Sequence, residues 1–324
     1  MEYEYILECE NVCKSFKGFR LADITFSLEP GYILGLIGEN GAGKSTLLQL
    51  ILGGYRMDAA ETVARRKESN PLLTRQATGE IIVAGNSMRF QPNLAKEELA
   101  YVLNTCPFSM VMTAKENAKM YGTCYKKWNQ LTFEQYCNEY QVPMDKPLRK
   151  LSKGQQILFQ LAFALSYDAK LYVMDEPAGN LDVNYHQIFL DKMQELVEDG
   201  TRSVIYVTHQ LEDLEQIGDY ILWLHKGKQL YYDDKESLLG RYTIISASEK
   251  ELRYIKQMMP GMPMIENIQE HVSEAMIRGT VKELPLNVPR RTPTLEELMF
   301  YYSLYEKDKG LAVFDEEEEW ESKM

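Results

Sequence analysis

Along the first ~235 residues, short continuous apolar runs alternate with segments of helical spacing, the pattern of a mainly parallel sheet with helices packed around it. YILGLIG (32–38) is such a run, as a strand buried on both faces requires, and it leads through a glycine-rich turn into the helical STLLQLILGG (45–54). KLYVMDEP (170–177) is a second buried strand, stopped by Pro177. SVIYVTH (203–209) is a third, preceded by a helix around 185–198. DYILWLHKGKQLYY (219–232) reads as a hairpin turning at Lys226-Gly227.

Between the first and second of these strands lies a long, mostly helical region, about 93–166, large enough to form a subdomain. It ends in RKLSKGQQILFQLAFALS (149–166), where Ser152 followed by Gln155 predicts a capping box. From Ile157 to Leu165 apolar residues run round the helix, which predicts that it is buried. Residues 57–79 are polar, interrupted by Pro71, and read as a surface insertion. After about residue 240, YTIISAS, EKELRYIKQMM, MIENIQEH and EAMIRGT read as strand, helix, strand and strand. The helix TLEELMFYYSLYEK has its own capping box at Thr294 and Glu297. The division expected is therefore 1–240 for a main domain and 241–324 for a small α+β extension that carries no chemical motif.

Composition narrows the function classes. A net charge of −12 argues against a nucleic-acid binder that relies on a broad basic face, and against direct adsorption to an anionic membrane. Part of that charge is the tail DEEEEWE (315–321). The five cysteines are odd in number and include no CxxC pair, which suits reduced thiols. The four histidines lie far apart and offer no zinc-ligand spacing. No basic n-region with an apolar core opens the chain and no apolar run reaches the ~20 residues of a membrane span, so a cytoplasmic location is expected.

GENGAGKST (38–46) fits G-x-x-x-x-G-K-[ST] between a strand and a helix. Gly38, Gly41 and Gly43 let the backbone, with Asn40 and Ala42 between them, curl its N–H groups toward phosphate oxygens. Lys44 would reach the β- and γ-phosphates of ATP, Ser45 would bind Mg²⁺, and Thr46 would assist at the α- and β-phosphates. LYVMDEP supplies the complement: Asp175 would serve the metal and Glu176 would orient or deprotonate water. His209, which ends the next strand, is placed for a contact to the γ-phosphate.

This combination resembles the nucleotide-binding domain of ABC transporters over about residues 4–240. LSKGQ resembles the signature usually written LSGGQ. The resemblance implies a P-loop NTPase of ABC type, α/β, with an antiparallel β subdomain, the inserted α-helical subdomain and the small C-terminal α+β extension. It implies that Ser152, Gly154 and Gln155 act across a homodimer on the nucleotide of the second nucleotide-binding subunit, and that Asp182, in AGNLD, lies at that interface. Phe16 falls where an aromatic residue stacks on adenine, and Asn104 where a glutamine usually meets Mg²⁺ and the attacking water. Two departures stand out: Asn104 is one methylene shorter than glutamine, and Lys153 replaces a glycine. If that backbone needs φ > 0, lysine costs about 1 kcal/mol.

LSKGQQ…LAFALSYDAKLYVMDEPAGNLD and the TLEEL-like C-terminal helix are further similar to single-domain ATPases of bacterial exporters of peptides, antibiotics or other amphipathic compounds. The expectation is an ATP-hydrolysing subunit, peripheral at the inner face of the cell membrane through transmembrane permease subunits, driven by ATP-dependent dimerisation. The alternative is a soluble ABC ATPase with a mechanochemical or regulatory role outside transport. Against it, translation factors of the family carry two such domains and its DNA-repair members a long coiled coil.

Overall fold

The computed structural model describes residues 4–58, 79–179, 181–258, 264–268, 273–279 and 288–307. Most of the expected 57–79 insertion and the whole acidic tail lie outside the described residues. The chain divides into two compact units, 1–232 and 233–324.

The first unit is organised by a ten-stranded sheet. Its parallel half contains β3 (Ile33–Ile37), β6 (Leu99–Leu103), β7 (Leu171–Asp175), β8 (Ser203–Val207) and β9 (Tyr220–His225), ordered β9-β3-β8-β7-β6. Every residue of β3 and β8 is buried, which is why these strands read as unbroken apolar runs. The antiparallel half holds β1 (Leu7–Phe16), β2 (Phe19–Leu28), β4 (Glu80–Val83) and β5 (Asn86–Ser87). β10 (Lys228–Asp234) lies between β2 and β9 and joins the two halves.

Helix α1 (Lys44–Ile51) buries Leu47, Leu48, Leu50 and Ile51 in the same core as Leu34, Leu36, Val173, Ile205 and Val207. Each such side chain contributes about 1.5–3 kcal/mol on burial, so the start of this helix is firmly held. The Lys226-Gly227 turn between β9 and β10 has positive φ at both residues, 47° and 80°. Gly227 N–H donates to the Ala42 carbonyl at 3.0 Å and thereby props the glycine-rich loop from beneath.

The 93–166 region is less uniformly helical than its sequence predicts. After α2 (Pro92–Glu97) the chain returns to the main sheet as β6. The helical excursion follows it, as α3 (Ala114–Tyr121), α4 (Gln130–Glu139) and α5 (Lys153–Ala164). Phe108 fixes its root by meeting Phe159 and Phe163 of α5 edge-on, with ring centroids 5.0 and 4.7 Å apart. Among the described residues, the remaining α-helices of this unit are α6 (Val183–Glu198) and α7 (Leu211–Ile217).

The second unit begins with α8 (Lys235–Gly240), whose N-terminus is capped by Asp234. A four-stranded antiparallel sheet follows, with β11 (Tyr242–Ala247), β12 (Met264–Ile268), β13 (Ser273–Arg278) and β14 (Arg290–Arg291) in the order β12-β13-β11-β14. α9 (Glu249–Met258) buries Leu252 and Ile255 against Ile245, Met264, Ala275 and Ile277. α10 (Leu295–Lys307) opens with the expected capping box: Glu297 N–H donates to Thr294 Oγ1 at 3.1 Å and Thr294 N–H to Glu297 Oε2 at 2.9 Å. Among the described residues, no helix is long and apolar enough to cross a membrane.

Candidate functional site

The ends of β3, β6, β7 and β8 converge on one open cavity of about 530 Å³. Its wall contains Asn40, Gly41, Gly43, Lys44, Ser45 and Thr46 on one side. Asn104, Asp175, Glu176 and His209 complete it on the other. This is where a parallel sheet offers a crevice, beyond the carboxyl ends of its strands.

The glycine-rich loop is a left-handed curl, with φ of 146° at Gly38, 82° at Gly41 and 112° at Gly43, the N-cap of α1. Lys44 is buried, and its ammonium donates to the Gly38 and Glu39 carbonyls, the latter at 3.2 Å. Burial holds its pKa below the ordinary lysine value, opposed by the charges of Glu176 and Asp175. Ala42 is buried behind the loop.

Asp175 is the last residue of β7, and Glu176 then turns with φ of 52°, a conformation rare for a residue with a side chain. The turn is held by Glu176 N–H donating to Val207 O at 2.9 Å. Burial raises both carboxyls above their ordinary range, and at both of them the nearby Lys44 and His209 oppose the shift. His209 N–H donates to Glu176 Oε2 at 3.4 Å. Glu176 Oε1 is buried and makes no hydrogen bond, although His209 Nε2 lies 3.3 Å away. The site thus sets a buried cation and a curl of N–H groups beside two half-buried carboxyls, one with a buried oxygen that makes no hydrogen bond.

The other expected residues lie elsewhere. Ser152 caps α5: its hydroxyl accepts from Gln155 N–H at 3.1 Å while Gln155 Oε1 accepts from Ser152 N–H at 3.1 Å, the predicted box. Ser152, Gly154 and Gln155 are not on the cavity wall. Lys153 is the first helical residue and is not among the positive-φ positions, so the strain anticipated for a lysine here does not arise. Its ammonium donates instead to the carbonyl of Asn104, which ties the two departures from the family pattern to each other. Asp182 is the N-cap of α6 and accepts from Asn184 and Tyr185 N–H, both at 3.1 Å.

Phe16 is outside the cavity wall, 42% exposed, and meets Tyr55 edge-on at 5.4 Å. Its cross-strand partner Phe19 is on the wall. Gln160 was also not anticipated: buried in α5, it accepts from Leu103 N–H and donates to Leu103 O, both at 3.1 Å, and so holds the residue before Asn104. The signal available was an amide inside an otherwise apolar helix.

Residues 21–179 match the family model described as ABC transporter. A ribose import ATP-binding protein of Hahella chejuensis is 29% identical over 87% of this chain and 54% of its own length. A galactose/methyl galactoside import ATP-binding protein of Fusobacterium nucleatum is 28% identical over 92% of this chain and 55% of its own. The chain therefore spans about half the length of the curated relatives it matches. In fold it is similar to a solved ATP-binding subunit of an ABC transporter, with TM-score 0.62 and 22% identity over 78% of this chain and all of that one. A dimeric ATP-binding cassette with bound ADP and Pi matches with TM-score 0.59 and 18% identity over 70% of this chain and 98% of that one. The ribose and galactose relatives are named for sugar import and lend no support to the exporter branch expected from the signature context. The cavity at the strand ends is thus that of an ABC-type P-loop NTPase fold, and the stretch that matches the ABC transporter family model carries the glycine-rich loop, Asp175 and Glu176.

Proposed function

We propose that this chain binds ATP with Mg²⁺ in the cavity and hydrolyses it to power an ABC transporter. The observation that carries the reading is the convergence of Lys44, Ser45, Asp175, Glu176 and His209 on one cavity from three separate stretches of sequence. Lys44 and the loop N–H groups bind the phosphates, and Asn40 and Ala42 contribute backbone to the same curl. Thr46 assists at the α- and β-phosphates. Ser45 and Asp175, with Asn104 on the same cavity wall, would hold the Mg²⁺, which would supply positive charge against the phosphates. Among the described residues no cluster of three or more His, Cys, Asp or Glu side chains forms a cage, and a magnesium ion held largely by phosphate and water needs none. Glu176, with an unsatisfied buried oxygen, takes the proton of the attacking water, and His209 contacts the γ-phosphate.

Ser152, Gly154 and Gln155 face the nucleotide of a second copy. Their place at a helix N-terminus, off the wall of their own cavity, suits that role. Asp182 shapes the turn at that interface, and Phe16 stacks on adenine together with Phe19 on the wall. The main domain, 1–240, does this chemistry, while 241–324 is an accessory extension. A permease in the membrane holds the dimer at its cytoplasmic face. The relatives compared above carry sugar-import names, so the reading stops at a transport ATPase whose cargo is set by the permease.

The test is ATP turnover by the purified chain. Glu176→Gln is expected to retain ATP binding, abolish turnover and accumulate an ATP-bound dimer. Turnover by that variant at the wild-type rate would overturn the assignment of the base. Isolation of the chain from membranes without any multi-span protein would overturn the transport reading and favour the soluble alternative.

A further inference from the structure

Behind the cavity, three side chains that the proposed chemistry does not use meet in one cluster. Asp213 is 3% exposed, and each of its oxygens has one partner: His186 Nε2 at 3.0 Å from Oδ1, and the Tyr206 hydroxyl donating to Oδ2 at 3.1 Å. Tyr206 is completely buried, and its phenol is held far above the ordinary tyrosine range by burial, with Asp213 and then Glu176 adding to the effect.

The sequence positions of these residues give the cluster its meaning. His186 belongs to the first turn of α6, where its N–H donates to Asp182 O at 2.8 Å. Tyr206 lies on β8, three residues before His209. Asp213 lies on α7, four residues after His209, and its N–H donates to Gln210 O at 3.1 Å. The Tyr206–Asp213 bond therefore ties together the two ends of the loop that carries His209, and the His186–Asp213 bond joins the Asp182 turn to it. A buried carboxylate that lost one of these partners would keep its desolvation cost without compensation, so the three groups move as a unit.

We propose that His186, Asp213 and Tyr206 are positioning residues, a hydrogen-bonded clamp that keeps the Asp182 turn and the His209 loop in register, so that formation of the interface with a second copy and alignment of His209 over the phosphate occur together. The clamp links two loops that sequence analysis assigns to different tasks. It requires neither group to touch nucleotide, and it rests on the ATPase reading given above.

The experiment compares the wild-type chain with His186→Ala and His186→Gln, measuring kcat and KM for ATP, binding of a fluorescent ATP analogue, and melting temperature. His186→Ala is expected to lower kcat roughly fivefold, within the range for coupled networks, with KM and analogue binding unchanged. His186→Gln retains a donor toward Asp213 and is expected to restore most of the rate. An unchanged kcat in His186→Ala overturns the proposal. A parallel loss of rate, analogue binding and melting temperature in both variants also overturns it, because the contact would then be merely structural. Wild-type protein that binds ATP without turning it over refutes the functional reading instead. The clamp is then decided by whether His186→Ala weakens ATP-driven self-association of Glu176→Gln: undiminished association overturns it.

Discussion

Gly38 and Gly41 belong to one motif and look equivalent in sequence, yet alanine should be tolerated very differently at the two. At Gly38 φ is 146°, and an added Cβ would lie 2.3 Å from the Leu224 carbonyl oxygen and 3.1 Å from the Ala42 Cβ. That oxygen is backbone of β9, whose pairing with β3 fixes it, so neither side can give way cheaply. The dihedral strain is worth about 1–3 kcal/mol, and the overlap adds a similar overpacking term of about 1–3 kcal/mol. Gly38→Ala should therefore cost about 4 kcal/mol, a large share of the roughly 5–15 kcal/mol that holds a typical domain. At Gly41 φ is 82° and a Cβ would meet nothing within 4 Å. The left-handed strain there is about 1–2 kcal/mol, partly offset by the lower entropy of the unfolded alanine chain, about 0.4–1 kcal/mol. Urea unfolding followed by fluorescence of Trp128 and Trp223, both in the first unit, should put the Gly38→Ala midpoint well below that of Gly41→Ala. Nucleotide affinity should be the property that Gly41→Ala loses, since Gly41 is on the cavity wall. Equal midpoints for the two variants would refute the argument that the Leu224 carbonyl sets the requirement for glycine.

Two further outcomes follow from contacts away from the loop. Gln160→Leu leaves Leu103 N–H and C=O without their side-chain partners and should destabilise the first unit by about 1–3 kcal/mol in urea melts; wild-type stability would exclude a structural role for that amide. In the second unit, Arg291 hydrogen-bonds Glu297 through both terminal nitrogens at 2.6 Å and holds that carboxyl below its ordinary range. The folded pKa lies below the unfolded one, so this contribution is complete above about pH 4.3 and is lost as pH falls through the folded value. Acid unfolding of that unit should accordingly lose part of its pH dependence in Glu297→Gln, and an unaltered acid transition would show that the pair contributes nothing.

What could be read from sequence, and what could not, follows from the physics of each element. β3, β7 and β8 announce themselves because burial on both faces demands unbroken apolar runs. β1 does not, because register shifts at Cys9/Val12 and Val12/Lys14 slip its apolar alternation to the other face. β6 is as long as β3, β7 and β8, but it follows directly on α2, and Ala95, Leu99 and Val102 fall at helical spacing, so LAYVL reads as a continuation of that helix. Phe19, which lines the cavity, went unread beside Phe16 for a related reason: the two are directly paired across the β1–β2 turn, and local sequence does not say which ring faces the loop. Lys153 misled through the glycine it replaces. A glycine there suggests a need for positive φ, but the position is the first of a helix, and the side chain is committed to the Asn104 carbonyl.

The same reasoning explains why the cavity carries so many locally unfavourable features at once. Glu176 accepts a left-handed backbone and an unsatisfied buried oxygen, Asp175 and Glu176 are both desolvated, and Lys44 is buried with its ammonium on the Gly38 and Glu39 carbonyls. None of these stabilises the free chain. They persist because β7 and β8 hold them: the Glu176 N–H bond to Val207 is part of the sheet edge. A free cation would meet Lys44 and a free phosphate would meet two carboxyls, so either alone is opposed by half of the site. A phosphate chain with its own divalent cation offsets both halves together. On the function proposed above, the cavity would suit a metal–nucleotide complex as one ligand, whose two signs of charge would offset the desolvation of both halves where either component alone would offset one.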